Sequence, residues 1–225
     1  MPHDDDRVAV LFDVDGTLVD TNWFHTLSWW RAFRKKGEFI PMSRIHPLIG
    51  MGSDQLVEHL FGEERPEFKG VHGEEYEVFL DEIVAFPEAA ALLREVKRRG
   101  AQVVLCTSSQ QAHLGPMLEA IDAEDAIDDV VNADDVEQSK PAPDVFSAGL
   151  DKLGLDPTRS IVVGDTTWDI DAASKLDLST VCVLTGGLTR EEAEEDGAAA
   201  VYEDVADLLA HLDESPVGSL LAAHQ

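Results

Sequence analysis

Two aspartates near the amino terminus, Asp13 and Asp15, are spaced so that both carboxylates can act at one site. They follow an apolar run, and in an extended segment residues two apart point to the same face. Crowded carboxylates raise each other's pKa values unless a cation neutralises them. Asp165 and Asp169 add two further carboxylates. Because oxygen-only ligands suit Mg²⁺, these four residues predict a magnesium site.

The same residues could carry out phosphoryl transfer. One carboxylate can attack phosphorus to form an aspartyl-phosphate, and a second can protonate the leaving alkoxide and then activate water. The transferred group spreads its charge over three oxygens, so hydrogen-bond donors must surround it. The candidate phosphate-binding residues are Thr107, Ser108 and Lys140, together with neighbouring backbone N–H groups. Gly16 would let the backbone turn or approach the ligand closely.

Five short apolar runs precede or separate these clusters, and they read as strands buried on both faces. They are residues 8–12, 102–106, 129–131, 160–163 and 180–184. Helical patterns alternate with them at 88–99, 143–153, 169–176 and 205–212. This alternation predicts an α/β fold with a doubly wound parallel sheet. Ligands of such sheets bind at the carboxyl ends of the strands, where the polar clusters lie.

One interval breaks the alternation. Between the first strand and the helix at residue 88, the patterns are helical, at 23–33, 53–61 and 74–83. We therefore expect an inserted all-helical unit at residues 18–87, with the α/β core formed by residues 1–17 and 88–225. The tail 214–225 is compatible with a short helix or with a frayed end.

Taken together, these features resemble the haloacid dehalogenase (HAD) superfamily, specifically its phosphatase branch with a helical cap. The resemblance runs from end to end, and it rests on the position of the insertion and on four motifs. These are Asp13-x-Asp15-Gly16-Thr17, Thr107-Ser108, Lys140-Pro141 and Gly164-Asp165-(x)3-Asp169. It implies a Rossmann-like HAD core, with the insertion as its cap domain.

The resemblance also implies roles for individual residues. Asp13 would be the nucleophile and Asp15 the acid and base, while Thr107 and Lys140 would hold the phosphoryl group. The side chains of Asp13 and Asp165 and the backbone carbonyl of Asp15 would bind Mg²⁺. Asp169 would lie in or beside the outer group of residues that orients the ligands.

Two residues have a plainer interpretation beside the functional one. Asp169 could be an ordinary acid in the first turn of its helix. His25 lies where related phosphatases and phosphomutases often carry a histidine, so it could contact substrate or be a satisfied cap histidine. The aromatic residues beside it (Trp23, Trp29 and Trp30) are more typical of a cap core.

Three functions share these core residues. The first is a phosphatase acting on a small phosphorylated metabolite, the second a phosphomutase of the β-phosphoglucomutase type, and the third a non-catalytic phosphate-binding regulator. Because no catalytic position is degraded, the third is disfavoured. A mutase must hold a distal phosphate with basic cap residues. The turn from Gly50 to Asp54 contains no arginine, which favours hydrolysis.

The net charge of −28 argues against nucleic acid as a binding partner. With 17 basic against 45 acidic residues, the chain lacks the positive stripe that nucleic-acid binding needs. The acidity suits a solvated surface or a salty environment. No run approaches the ~20 apolar residues of a membrane helix. Cys106 and Cys182 lie in apolar runs, as buried free thiols do. We expect a cytoplasmic monomer or homodimer that binds neither nucleic acid nor membrane.

Overall fold

Six parallel strands form the centre of the protein in the computed structural model, which describes residues 7–223. They are β1 (Ala9–Phe12), β2 (Gln102–Cys106), β3 (Asp129–Val131), β4 (Ser160–Gly164), β5 (Ser179–Val183) and β6 (Ala200–Tyr202). Their order in the sheet is β3-β2-β1-β4-β5-β6. The chain builds outward from β1 to β3, then returns to the other side of β1 and builds outward again.

This return creates a topological switch point between β1 and β4. Phe12 of β1 pairs with Leu105 of β2 on one side and with Val163 of β4 on the other. One residue further, the Asp13 N–H donates to the Val163 carbonyl at 2.9 Å. The carboxyl ends of β1 and β4 therefore lie side by side, where open α/β sheets bind their ligands.

Helices cover both faces of the sheet. The helices that follow the insertion are α5 (Ala89–Arg98), α6 (Gln111–Ile121), α7 (Asp144–Leu153), α8 (Thr167–Ser174), α9 (Arg190–Glu195), α10 (Val205–Ala210) and α11 (Pro216–Ala222). Val10 and Phe12 share a core with α5, α6, α10 and α11, while Leu11 packs with α7 and α8 on the opposite face. Because successive strand residues point to opposite faces, each strand serves both cores. The predicted α/β doubly wound parallel sheet is confirmed.

Between β1 and α5 the described chain is helical. The helices there are α1 (Asn22–Lys35), α2 (Met42–Ile45), α3 (Ser53–Phe61) and α4 (Glu67–Tyr76), with 3₁₀ turns at His46–Leu48 and Glu77–Glu82. They have their own core, which includes Trp29, Phe33, Ile45, Leu56 and Phe68. We call residues 18–87 the cap. Residues 1–6 and 224–225, which the predicted core segments include, lie outside the described residues.

The two connections between cap and sheet run next to each other. The Asp20 N–H donates to the Val84 carbonyl at 3.0 Å, and the Phe86 N–H donates to the Leu18 carbonyl at 2.9 Å. Val19 also forms an antiparallel bridge with Ala85. The cap is therefore joined to the core by a paired, two-chain connection.

The five expected strands are present within one residue of their predicted bounds, but several other elements differ from expectation. The short helices α2 and α9 were not predicted. The sequence interpretation omitted β6, a three-residue edge strand that is only half-buried. It also omitted α6, because Gly115 and Pro116 inside that helix weaken its pattern. The helix expected at 74–83 instead ends as an α-helix at Tyr76 and continues as a 3₁₀ turn. Within residues 7–223, every helix is too short or too polar to cross a bilayer.

Candidate active site

Three buried carboxylates meet at the switch point. Asp13 follows β1, Asp165 follows β4, and Asp169 lies in the first turn of α8. One carboxylate oxygen of each lies within 4.8 Å of the others. Because β1 and β4 are neighbours, residues far apart in the chain converge on one edge of the sheet. Sequence-distant acids are thereby placed where a single cation could contact all of them.

A lysine lies beneath this cluster. Lys140 is 1% exposed, and its ammonium group contacts Asp13 directly and lies 2.8 Å from Asp169 Oδ1. It also donates to the Cys106 carbonyl at 3.0 Å, at the end of β2. Burial alone would lower the pKa of Lys140, but the two carboxylates hold it above its ordinary value. Lys140 is therefore a fixed positive charge at the base of the site.

One lysine does not neutralise three carboxylates. Burial raises the pKa of Asp13 to about 7; Lys140 opposes this rise, whereas Asp169 and Asp15 add to it. Burial, with the nearby charges of Asp13 and Asp169, raises the pKa of Asp165 well above its usual range. A divalent cation would supply the missing positive charge. The all-oxygen donor set and its charge fit Mg²⁺.

The loop after Asp15 holds Asp165 in place. Thr17 Oγ1 donates to Asp165 Oδ1 at 3.0 Å, and Asn22 Nδ2 donates to Asp165 Oδ2 at 2.8 Å. Gly16 has a φ of +79°, and a Cβ there would lie 2.1 Å from Asp165 Oδ2. Only glycine permits both this backbone conformation and the close approach. The absence of a side chain at Gly16 thus leaves the space that the Asp165 carboxylate occupies.

Asp15 has a different environment from the other acids. Its Oδ1 accepts from Thr21 Oγ1 at 2.7 Å and lies 3.0 Å from His25 Nε2. Its Oδ2 accepts from Thr107 Oγ1 at 2.9 Å and from Ser109 Oγ at 2.8 Å. Burial would raise the pKa of Asp15, but the hydrogen bonds and the charge of His25 hold it well below its usual value. The carboxylate is therefore held as an anion.

The segment after β2 contributes to both core and cap. The Thr107 hydroxyl, expected to face a phosphoryl group, donates to Asp15 and accepts from the Ser109 N–H at 2.9 Å. The Ser108 hydroxyl donates to the Gly50 carbonyl of the cap at 3.2 Å. In this structure, Thr107 orients Asp15, and Ser108 joins the cap to the core.

The cap is docked over the site. The Gly52 N–H donates to the Lys140 carbonyl at 3.1 Å, and Trp168 Nε1 donates to the Pro47 carbonyl at 3.1 Å. The cleft left between cap and core has a volume of about 50 Å³. That is room for roughly four water molecules. A substrate larger than a phosphoryl group therefore requires the cap to move.

Both units line the cleft. From the core come Asp13, Asp15, Ser108, Ser109, Gln110 and His113, and from the cap His25, Trp29, Ile49, Gly50, Met51, Ser53, Leu56 and His72. His25 Nδ1 lies 3.3 Å from His72 Nε2, and the ring of His72 stacks on Trp29. Both nitrogens of His25 are thus engaged by protein groups.

The structure brings all the sequence-predicted site residues to one edge of the sheet, although not all of them line the cleft. Asp13, Asp15, Ser108 and His25 line it, and Thr107 contacts Asp15. The remaining ones (Gly16, Lys140, Asp165 and Asp169) lie at or beneath the carboxylate cluster.

Sequence reasoning did not assign several residues that hold the site together. They are Thr17, Thr21, Asn22, His72, Ser109 and His113. Thr17 lies inside the first motif and Ser109 directly follows Thr107-Ser108, so their positions beside the motifs were a usable signal. His72 had no such signal, because it lies in the cap, far from the motifs in sequence. His113 lies five residues after Ser108, but on α6, a helix that was not predicted.

Comparison with known proteins places this geometry in a family. The model described as "Haloacid dehalogenase-like hydrolase" matches residues 10–183. The chain is 31% identical over 218 residues to Pyrophosphatase PpaX of Bacillus velezensis, covering 91% of this chain and 96% of that protein. It is 35% identical over 123 residues to a phosphoglycolate phosphatase of Rhodospirillum rubrum, covering 55% of this chain. The match spans about half, 51%, of that enzyme's length.

A solved structure has the same architecture throughout. The crystal structure of a hydrolase from Pseudomonas syringae matches with a TM-score of 0.87 at 33% identity. The match covers 92% of this chain and 99% of that chain. The similarity therefore includes the cap as well as the sheet.

Proposed function

This chain belongs to the haloacid dehalogenase-like hydrolase family, and from that premise we propose that it is a Mg²⁺-dependent phosphatase of small phosphate monoesters. Asp13 becomes phosphorylated during turnover. The observation that carries the proposal is the burial of Asp13 beside Asp165, Asp169 and Lys140, at the base of a cleft closed by the cap. The names of the relatives, a pyrophosphatase and a phosphoglycolate phosphatase, support phosphate compounds as the substrate class.

In the first step, an oxygen of the Asp13 carboxylate attacks phosphorus. A new P–O bond forms, and the bond from phosphorus to the leaving alcohol breaks. Because the donors around Asp15 favour its anion in the free protein, Asp15 must first take up a proton from solvent, and it then gives this proton to the leaving oxygen. The alcohol departs and Asp13 carries a phosphoryl group.

In the second step, water attacks the phosphorus of the phosphorylated Asp13. Asp15 accepts a proton from the water, and the bond between phosphorus and the Asp13 oxygen breaks. Inorganic phosphate leaves, and the free carboxylate returns. The donors around Asp15 (Thr21, His25, Thr107 and Ser109) stabilise its anionic form, which is the form that this step requires.

The side chains of Asp13 and Asp165 would hold Mg²⁺, with the Asp15 backbone carbonyl as a third protein ligand and Asp169 at its outer side. When bound, the ion neutralises the carboxylates and stabilises charge on the transferred group. Lys140 supplies a second, permanent positive charge next to Asp13. Because these charges are preorganised and buried, they act strongly on the transition state.

The proposal is tested by phosphate release from a panel of phosphate monoesters. We expect turnover with Mg²⁺, loss of turnover in excess chelator, and recovery on adding Mg²⁺ back. Calcium should support turnover poorly, because its looser coordination misplaces the nucleophile. Asp13→Asn should abolish both turnover and the phosphoenzyme, whereas Asp171→Asn, which changes an exposed acid of α8, should retain both.

Two results would contradict the proposal. Full activity in excess chelator would contradict the requirement for Mg²⁺. A normal phosphoenzyme in Asp13→Asn would contradict the assignment of Asp13 as the nucleophile. Tight binding of phosphate without turnover of any ester would instead favour the non-catalytic regulator.

A further inference from the structure

The described wall of the cleft beyond Asp13 and Asp15 contains no lysine or arginine. Its cap side is formed by apolar residues and by His25, Ser53 and His72, and its core side by serines, Gln110 and His113. Within residues 7–223, no lysine or arginine lines it. Residues 1–6 and 224–225, outside the described range, contain neither residue type. The basic residue in contact with Asp13, Lys140, is buried beneath the carboxylate cluster.

Four cations of the cap have partners outside the cleft. Lys35 Nζ lies 2.5 Å from Glu75 Oε1, and Arg31 lies 3.6 Å from the same carboxylate. Arg65 pairs with Glu38 at 2.8 Å. Arg34 stacks over the ring of Trp30. These side chains therefore sit outside the cleft lining.

The histidines of the cleft do not replace those cations. Burial, with the charges of His25 and His113, lowers the pKa of His72 well below its usual value. Burial also lowers the pKa of His113. The Nε2 atom of His25 faces the Asp15 carboxylate, so any charge on that ring is already paired. The described lining of the cleft therefore offers imidazole, hydroxyl and amide groups to a ligand, and no lysine or arginine.

A second anionic group on a substrate would be unpaired here. Beside Asp15 and within a chain of net charge −28, it would also meet repulsion. A hydroxyl group, in contrast, can donate to and accept from the neutral polar groups of the wall.

Resting on the proposed function, we infer that the leaving group is a small uncharged alcohol or polyol. The site discriminates against esters whose leaving group carries a carboxylate or a second phosphate. This substrate class differs from those in the names of the relatives, a phosphoglycolate phosphatase and a pyrophosphatase. The wall of the cleft, not the catalytic residues, sets this preference.

A matched pair of esters tests the inference. 2-Hydroxyethyl phosphate and 2-phosphoglycolate differ only in a CH₂OH group in place of a carboxylate. With the full chain and Mg²⁺, we expect kcat/KM to be roughly tenfold higher, or more, for 2-hydroxyethyl phosphate, whose leaving group is uncharged. A difference of this size is the effect of one unpaired charge in a partly desolvated site. A higher kcat/KM for 2-phosphoglycolate overturns the inference.

The two esters also differ in intrinsic reactivity, and this difference cancels when the substrate preferences of two protein variants are compared. Ser53 lines the cleft from the start of α3 and is half-buried, so a longer side chain can be accommodated. Ser53→Lys should shift the preference toward 2-phosphoglycolate by about tenfold. Ser53→Gln, of similar length but uncharged, should not. An equal shift in both variants shows that charge is not the determinant, and so does no shift in folded Ser53→Lys.

Failure of this inference is distinguishable from failure of the proposed function. Acetyl phosphate and p-nitrophenyl phosphate serve as general phosphoryl donors. If neither of them nor either small ester is turned over, the phosphatase proposal fails. If the general donors are hydrolysed but 2-hydroxyethyl phosphate is not, the inference about the leaving group fails alone.

Discussion

The ammonium group of Lys140 lies 2.8 Å from the carboxylate of Asp169, and each side chain is only 1% exposed. The same ammonium contacts Asp13. A buried charge loses the hydration that water would give it, so each member of such a group depends on its partners. This dependence makes the site sensitive to single substitutions and to bound cations.

Lys140→Met should reduce stability in the absence of Mg²⁺, because it leaves buried carboxylates without their partner. We expect the free energy of unfolding to fall by about 3 kcal/mol. Mg²⁺ should restore part of this loss, since the ion neutralises the same carboxylates. Urea denaturation with and without Mg²⁺ measures both effects. Lys152→Met, which removes exposed ion pairs, should cost less than about 1 kcal/mol. Equal losses in the two variants would contradict the prediction.

Mg²⁺ affinity should rise with pH. The pKa of Asp13 is about 7, above the usual value for an aspartate, because of burial. Below that pH, Mg²⁺ must displace a proton, so binding weakens as the pH falls through about 7. Between pH 8 and pH 6 we expect a decrease in affinity of about tenfold or more. Isothermal titration calorimetry in two buffers of different ionisation enthalpy measures the affinity and the protons released. Binding without proton release at pH 6 would argue against it.

Asp15→Asn should slow turnover strongly while the fold is retained. It removes the acid and base but keeps a side chain of the same size among Thr21, Thr107 and Ser109. The loss in kcat should be ~10²–10⁴-fold. Because the second step needs the base, the phosphoenzyme should persist longer than in the unmodified protein. Rapid-quench measurement of the phosphoenzyme checks this, and wild-type turnover would exclude Asp15 from both steps.

Trp168→Phe should loosen the docking of the cap. It removes the hydrogen bond from the indole to the Pro47 carbonyl but keeps an aromatic ring. A hydrogen bond of this kind contributes about 1 kcal/mol, which corresponds to roughly fivefold faster local opening. Hydrogen exchange at residues 47–52 measures the opening. Trp30→Phe, within the cap, is the matched control and should leave exchange in that segment unchanged.

Hydrolysis rather than phosphomutation should dominate at steady state. A mutase must grip a second phosphate, and the described wall of the cleft has no lysine or arginine for that purpose. With β-glucose 1-phosphate and a trace of the 1,6-bisphosphate, we expect any product to be accompanied by inorganic phosphate. Near-stoichiometric conversion to glucose 6-phosphate with little free phosphate would favour the mutase instead. Following both products in one reaction separates the two outcomes.

The sequence by itself determined where the chemistry lies. Asp13 and Asp165 each follow an apolar run, and the carboxyl ends of parallel strands share one edge of a sheet. That rule places the acids of distant segments together without any knowledge of side-chain positions. The insertion was evident for a similar reason, because helical periodicity replaces strand runs between β1 and α5. Short elements or elements with weak patterns, such as β6, α6 and α9, were not found.

Only the tertiary structure decided how the polar groups pair. The hydroxyl of Thr107 donates to Asp15, and His25 lies between Asp15 and His72. His72 reaches the cleft from α4 of the cap, which no spacing from the core motifs specifies. The docking of the cap likewise sets which side chains line the cleft and leaves lysine and arginine out of the described lining. Sequence periodicity predicts which face of a single helix or strand is buried. A site between the cap and the core depends instead on how these two parts pack against each other, which periodicity does not specify.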